Sequence, residues 1–235
     1  MNIGVVIPAR DEEELIGRCL ASVTRAAAMV RARVHVVVVA DGCLDRTVAV
    51  ARSFRGVRVL EVESSNVGAA RAAGARSVLQ RGADWIANTD ADSTVPLNWL
   101  AHQVDLEARG WDVMIGTVRP DFAELSVEQR AAWLSTHGDG QALGNIHGAN
   151  LGVRASVYRS SGGYEELPEH EDVDLVARLQ GARIIASDEA EVVTSARRFG
   201  RTPGGYARYL REELATSVVL GSRPTPSTRT APATR

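Results

Sequence analysis

The chain has 235 residues, 45% of them hydrophobic, and a formal net charge of −2. That length suits one large domain burying about 70–75% of its unfolded surface, and the balanced charge gives no electrostatic case for a nucleic-acid partner. All 27 basic residues are arginine, which excludes chemistry that needs an amine, such as P-loop phosphate binding, Schiff bases and pyridoxal attachment.

The two cysteines, Cys19 on an expected helix and Cys43 in a loop, fit a reduced, cytoplasmic protein. The first residues run straight into a short strand pattern with Pro8 and charge close behind, unlike a signal peptide. No apolar run approaches the ~18 residues that a membrane span needs. In chain order, Ile3–Ile7, Val34–Ala40, Val57–Val62 and Trp85–Thr89 are strand-like and β-branched. Between them, Glu12–Ala28, Asp45–Arg55 and Val67–Arg81 carry a helical period, with Leu15, Cys19, Leu20 and Val23 sharing one face of the first. This order predicts an α/β fold with a mostly parallel central sheet and helices on both faces.

The second half is less regular. Leu97–Arg109 reads as a helix and Val113–Val118 as a strand; a helical stretch around Ser126–Thr136 is followed by a Gly-rich loop. Ala149–Val153 reads as a strand, Glu171–Gln180 as a helix, Arg183–Ala186 and Val192–Ser195 as two short strands, and Pro203–Leu220 as a closing helix. No repeat or linker interrupts residues 1–221, which read as one domain with a nucleotide-binding half (1–95) and an acceptor half (96–221). Residues 222–235, rich in Pro, Thr, Ser and Arg, are expected to be a disordered tail.

Ligands of such sheets bind at the carboxyl ends of the strands, and the unusual residues fall there: Pro8–Ala9–Arg10, Asp41–Gly42, Glu63–Asn66 and Asp90–Asp92. Asp90 and Asp92, spaced i, i+2 after an apolar run, point the same way on an extended backbone. Two bare carboxylates held together repel unless a cation lies between them. An oxygen-rich site of this kind suits Mg²⁺ or Mn²⁺, which leave positions for water and substrate phosphates. The competing reading is a surface turn after a strand, where Asp is favoured for turn chemistry.

Several motifs line up in order over residues 3–185. Val6–Glu13 resembles the opening strand and P-x-x-N/D-E loop of family 2 glycosyltransferases. Val38–Thr47 is similar to their V-D-D-G-S-x-D-x-T segment, with Ala40 in place of the first Asp. Asn66–Gly74 resembles a shortened N-x-G-x-x-x-A-R-N-x-G, Asp90–Ala91–Asp92 stands in the place of the metal-binding D-x-D, and Gly148–Arg154 and Glu171–Leu175 match the acceptor-side and catalytic-base segments. The resemblance implies a GT-A nucleotide-binding sandwich and an inverting transfer of one sugar from a nucleotide-sugar donor, UDP-linked by preference, to an acceptor hydroxyl. The Q-x-x-R-W motif of processive polysaccharide synthases is absent, which favours single-sugar transfer.

Roles for individual residues follow as expectations. Pro8, Ala9 and Arg10 offer backbone and a flat apolar surface to the base. Glu12 opens a helix, as a cleft residue or a simple cap. Asp41 accepts from a ring N–H of the base. Arg71, near a helix start, binds the diphosphate or is a solvated helix arginine. Asp92 is the first metal ligand, with Asp90 on the metal, its water or the ribose. The resemblance assigns the base to Asp172, with Glu171 holding the acceptor or tuning Asp172 by like charge. Arg197 and Arg198 close over the diphosphate, and His147 and His170 flank these elements. The acceptor is a small molecule, a glycan or a lipid-linked group. Trp133, Leu134 and the Tyr206–Leu220 helix either pack on the sheet or lie on a membrane surface, so a peripheral place at the inner face of the membrane stays open, as does a homodimer.

Three rival enzymes are weaker. Asp90–Thr94 also satisfies the D-x-D-x-T of haloacid-dehalogenase-like phosphatases, with Asp90 as nucleophile, but those place it on the first core strand and use a downstream Lys. A sugar-nucleotide nucleotidyltransferase expects a Gly-rich basic loop after the first strand, and a Rossmann dehydrogenase expects G-x-G-x-x-G there; Pro8–Asp11 is neither. A non-catalytic nucleotide-sugar-binding protein is the remaining alternative.

Overall fold

The structure is a computed structural model, and it describes residues 1–136, 144–197, 200, 206–208 and 210–212. Eight strands form one sheet in the order β3-β2-β1-β4-β7-β6-β8-β5. The first half follows the expected alternation. Strand β1 (Asn2–Ala9), helix α1 (Ile16–Ala28), β2 (Arg33–Asp41), α2 (Thr47–Arg52), β3 (Val57–Val62), α3 (Val67–Gln80) and β4 (Trp85–Asn88) succeed one another. The β1/β2, β2/β3 and β1/β4 pairs are all parallel.

Both faces of β1 are buried, as its unbroken apolar run requires. Ile3, Val5 and Ile7 pack with Ile16, Leu20 and Val23 of α1 on one face. Val6 faces the other way, in a second cluster with Val37, Val39, Ala70 and Val78.

The second half departs more from expectation. It contains β5 (Ser93–Thr94), α4 (Trp99–Ala108), β6 (Val113–Pro120), α5 (Val127–Thr136), β7 (Leu151–Arg154), α6 (Ala155–Ser160), α7 (Glu171–Arg178) and β8 (Ile184–Thr194). Strand β7 runs antiparallel to both neighbours, β4 and β6, and so joins the two halves of the sheet. The two short strands expected near the end are one strand of 11 residues. It pairs in parallel with β6 from Val113↔Ile184 to Pro120↔Thr194, with the ladder interrupted between Gly116↔Ser187 and Val118↔Val192, so that residues 188–191 have no register partner.

Helix α1 begins at Ile16, not at Glu12. The Glu12 and Glu13 N–H groups donate to Thr47 Oγ1 (2.7 Å) and Asp45 Oδ2 (2.9 Å), while Asp11 takes a left-handed φ of 50°. Residues 12–15 form a turn closed by Leu15 N–H to Glu12 O at 3.1 Å, and the helix follows it.

Asn150 is fully buried and ties α4, β6 and β8 together within the second half. Its Nδ2 donates to the carbonyls of Thr117 and Ala190 (2.9 Å each), and its Oδ1 accepts from Trp99 Nε1 (2.9 Å).

Helix α3 starts against the loop before α7. The Gly68 N–H donates to Leu167 O at 3.1 Å, and a Cβ at Gly68 would lie 2.2 Å from Glu165 O. That obstacle is backbone, so it cannot rotate away. Gly68→Ala is expected to destabilise the fold by about 1–3 kcal/mol, read as a lower denaturant midpoint at unchanged m-value.

No helix among the described residues is long and apolar enough to cross a membrane. Tyr206–Arg208 and residues 210–212 are helical, within the expected closing helix. The rest of that segment, the 222–235 tail, Arg198 and residues 137–143 lie outside the described residues.

Candidate active site

The carboxyl ends of β1, β2 and β4 open into a cleft of about 1120 Å³ whose far wall comes from the second half of the chain. Pro8, Ala9, Arg10, Glu12, Asp41, Arg71, Asp90, Asp92, Glu171 and Asp172 all line it. The side chains meet there as two charged clusters and one loop anchor.

Asp41, at the end of β2, is the anchor. Its Oδ1 accepts from the N–H groups of Ser64 (2.7 Å) and Ser65 (2.9 Å), and its Oδ2 from Ser64 Oγ and Asn66 N (2.9 Å each). Burial pulls this carboxyl up, but these bonds outweigh it and hold it below the usual carboxylate range. The acceptor capacity expected for a base ring is taken up by the chain itself. The carboxylate shapes the loop that leads into α3, where Asn66 caps the helix by accepting from Ala69 N at 3.0 Å.

Arg71 centres the first cluster. It is 2% exposed, so it is not a solvated helix arginine. Its Nε donates to Glu171 Oε1 (2.8 Å) and its Nη2 to Asp90 Oδ1 (2.6 Å). Two of its three nitrogens are therefore committed, and a bidentate grip on a diphosphate does not fit this arrangement. Nη1 is buried with no partner among the described residues. Burial disfavours the guanidinium charge, yet Asp90 and Glu171 raise its pKa further.

Glu171, at the first turn of α7, is buried against Arg71 through its Oε1 and lines the cleft wall. Burial and the Asp172 charge raise its pKa, and Arg71 opposes them. Asp172 is half-buried. Its Oδ2 accepts from Gly148 N at 2.6 Å and its Oδ1 from Val173 N at 2.8 Å. Gly148 is needed for this approach, because a Cβ there would lie 2.3 Å from Arg71 Nη2.

Asp92 centres the second cluster. Its Oδ1 accepts from Thr194 Oγ1 (3.1 Å) and Ser93 Oγ (3.3 Å), and its Oδ2 meets Arg197 Nη2 at 2.9 Å. The same guanidinium grips Glu12 through both nitrogens, at 2.7 and 2.8 Å. Burial, with repulsion from Asp90, lifts the Asp92 carboxyl to about 6 against the pull of Arg197.

The family model for Glycosyl transferase family 2 matches residues 4–161. The chain belongs to this family. A dolichyl-phosphate hexose transferase of Haloferax volcanii is 36% identical over 115 residues, a match that takes in 49% of this chain and 47% of the relative. The chain thus aligns with about half the length of that relative. Among solved structures, S. aureus TarS 1-349 in complex with UDP-GlcNAc superposes with a TM-score of 0.65 at 14% identity, over 92% of this chain and 66% of that one. Mannosyltransferase PcManGT from Pyrobaculum calidifontis, in complex with GDP-Man and Mn²⁺, gives 0.64 at 17% identity, over 96% and 76%. The chain therefore has the GT-A fold of these neighbours.

The contacts of the second-half wall were not read from the sequence. That wall is aromatic: Trp133 is buried, donates to Tyr206 Oη (3.2 Å) and meets Phe122 edge-on at 5.3 Å. The guanidinium carbons of Arg119 and Arg130 each lie 4.9 Å from the Phe122 ring centre. His147 lies edge-on to Tyr206 at 5.8 Å, and His170 precedes α7 in a left-handed conformation with φ 61°. Trp133 was visible in the sequence, but its partners are too distant along the chain for a local pattern to name.

Asp90 and Asp92 fit a divalent ion by donor chemistry. They are oxygen-only donors lining one cleft, the donor type that a hard divalent ion takes. A tighter group, Asp11, Cys43 and Asp45, has ligand atoms within 4.8 Å of one another. Its carboxylates hold the loop, accepting from Leu44, Glu13 and Thr47 N–H groups.

Proposed function

We propose that this glycosyltransferase moves one hexose from a nucleotide-sugar, UDP-linked by preference, to an acceptor hydroxyl with inversion, using Mg²⁺ or Mn²⁺. One observation carries the reading: paired carboxylates at a strand end and a second acidic pair on the facing helix open into the same cleft. The complexes of the neighbours, UDP-GlcNAc in TarS and GDP-Man with Mn²⁺ in PcManGT, support a donor and metal of this kind.

Asp92 and Asp90 would hold the ion, which when bound supplies neutralisation of the charge on the departing diphosphate. Pro8, Ala9 and Arg10, at the end of β1, flank the donor, and Asp41 keeps the 64–66 loop in place beneath it. Arg71 fixes Asp90 on one side and Glu171 on the other, so the donor and acceptor walls share one rigid connection. Asp172 accepts the proton of the acceptor hydroxyl as that oxygen bonds to the sugar C1 and the C1–diphosphate bond breaks on the opposite face. The Gly148 N–H steadies the carboxylate for that transfer without removing its remaining lone pairs.

The acceptor is a small molecule, a glycan or a lipid-linked group. The name of the Haloferax volcanii relative favours the lipid-linked class, and the aromatic wall of Phe122, Trp133 and Tyr206 suits an amphipathic molecule. The reduced thiols Cys19 and Cys43 support a cytoplasmic setting, at the membrane face when the acceptor is a lipid.

The test is release of nucleoside diphosphate from a panel of UDP-hexoses and GDP-mannose, with Mn²⁺ or with chelator. Asp92→Ala is expected to lower the Mn²⁺-dependent rate by about 100-fold, since Lewis-acid stabilisation contributes several kcal/mol. An Asp92→Ala variant as active as the parent contradicts the metal assignment.

A further inference from the structure

Asp92 already has a cation beside it. Thr194 and Ser93 occupy its Oδ1, and the Arg197 guanidinium lies 2.9 Å from its Oδ2. Arg197 reaches this place from the end of β8, 105 residues along the chain from Asp92 by their numbers. Glu12 holds it there with a two-nitrogen grip at 2.7 and 2.8 Å. Both carboxylates are well shielded, with side chains 6% (Glu12) and 13% (Asp92) exposed, while Arg197 is 28% exposed along the cleft. Charges so placed attract strongly, because little water screens them.

We propose that Arg197 is the resident counter-cation of the donor site, exchanging Asp92 for the donor diphosphate when a divalent ion arrives. The proposal rests on the assignment of Asp92 as a metal ligand made above. Two cations cannot share one buried carboxylate without repelling each other, so an ion that takes Asp92 displaces the Arg197 Nη2 contact. The Nη1 bond to Glu12 does not have to break. Glu12 is thus a pivot about that one bond, and Nη2 turns toward the cleft, where a diphosphate is the matching acceptor.

The consequence is coupling. Metal alone binds weakly, since it must evict Arg197 and leave that charge without its second carboxylate. Metal and diphosphate together bind well, since the diphosphate takes up the freed N–H. Coupling of this kind is reciprocal and typically amounts to about 5- to 150-fold.

The experiment measures Mn²⁺ affinity by electron paramagnetic resonance, without nucleotide and with saturating UDP at matched free Mn²⁺, in the full chain. Arg197→Gln is expected to bind Mn²⁺ alone about tenfold more tightly than the parent, and UDP then adds little further tightening. Arg197→Lys, which keeps the charge but loses the fork, is expected to fall between the two, and thermal melting checks that each variant is folded. Mn²⁺ affinity in Arg197→Gln that is unchanged or weaker, with the parental response to UDP, overturns the proposal. Asp92→Asn separates the two levels of the reading. Loss of Mn²⁺ binding in that variant upholds the metal site whatever Arg197 does, whereas parental binding overturns the metal assignment and the role of Arg197 with it.

Discussion

Asp172→Asn is expected to lower kcat for sugar transfer by about 10²–10⁴-fold, the range that a positioned general base contributes, while nucleotide affinity stays at the parental value. The substitution preserves size, and it removes the capacity to take a proton. The carboxylate is held by two backbone donors, Gly148 N at 2.6 Å and Val173 N at 2.8 Å. An amide oxygen can keep only one of them in its present form, so stability also falls, by about 1 kcal/mol. Steady-state kinetics beside nucleotide titration separates these effects. A fall in kcat alone marks the base. A fall below about tenfold contradicts the role, and points to an acceptor that arrives already deprotonated, as a phosphate does.

Arg71→Met is expected to destabilise the fold by about 3–5 kcal/mol, because it leaves buried charges without a partner. Glu171 is the larger part of that loss, with a side chain 6% exposed; Asp90, at 36%, is partly screened by water and contributes less. For a chain of this size the melting temperature falls by roughly 10 °C. Pairing the change with Glu171→Gln, which removes the stranded charge, restores part of the stability, and the two substitutions are then not additive. A drop under about 1 kcal/mol for Arg71→Met alone contradicts the view that this guanidinium joins the donor and acceptor walls.

The parts of the molecule legible in the sequence are those with local causes. Apolar, β-branched runs give β1 and β2, a Val-rich alternating pattern gives β3, and the helices between them follow from apolar spacing. Two carboxylates at i, i+2 after Trp85–Asn88 announce a strand end where both open into the cleft. The partners of those residues are another matter. Arg71 meets Glu171 across 100 residues, and Arg197 meets Glu12 across 185. Neither contact leaves a trace in local periodicity, so Arg71 reads equally as a phosphate ligand or a solvated arginine until the fold buries it.

Backbone competition accounts for other differences. Glu12 lies in a favourable position to open a helix, but the Leu15 N–H closes a tighter turn on Glu12 O, and the regular helix starts at Ile16. In β8 the polar residues 188–191 look like a break, and the pairing with β6 is indeed interrupted there; it resumes at Val118↔Val192, which makes the two segments one strand. The antiparallel placement of β7 between β4 and β6 is set by tertiary pairing alone.

The most direct measurement is calorimetric titration of the protein with UDP, GDP and dTDP, each with and without Mn²⁺. Binding of UDP that requires Mn²⁺, and that is lost in Asp92→Ala, is the predicted result. Binding of no nucleotide, or binding indifferent to both Mn²⁺ and Asp92, contradicts a metal-assisted donor site at the end of β4.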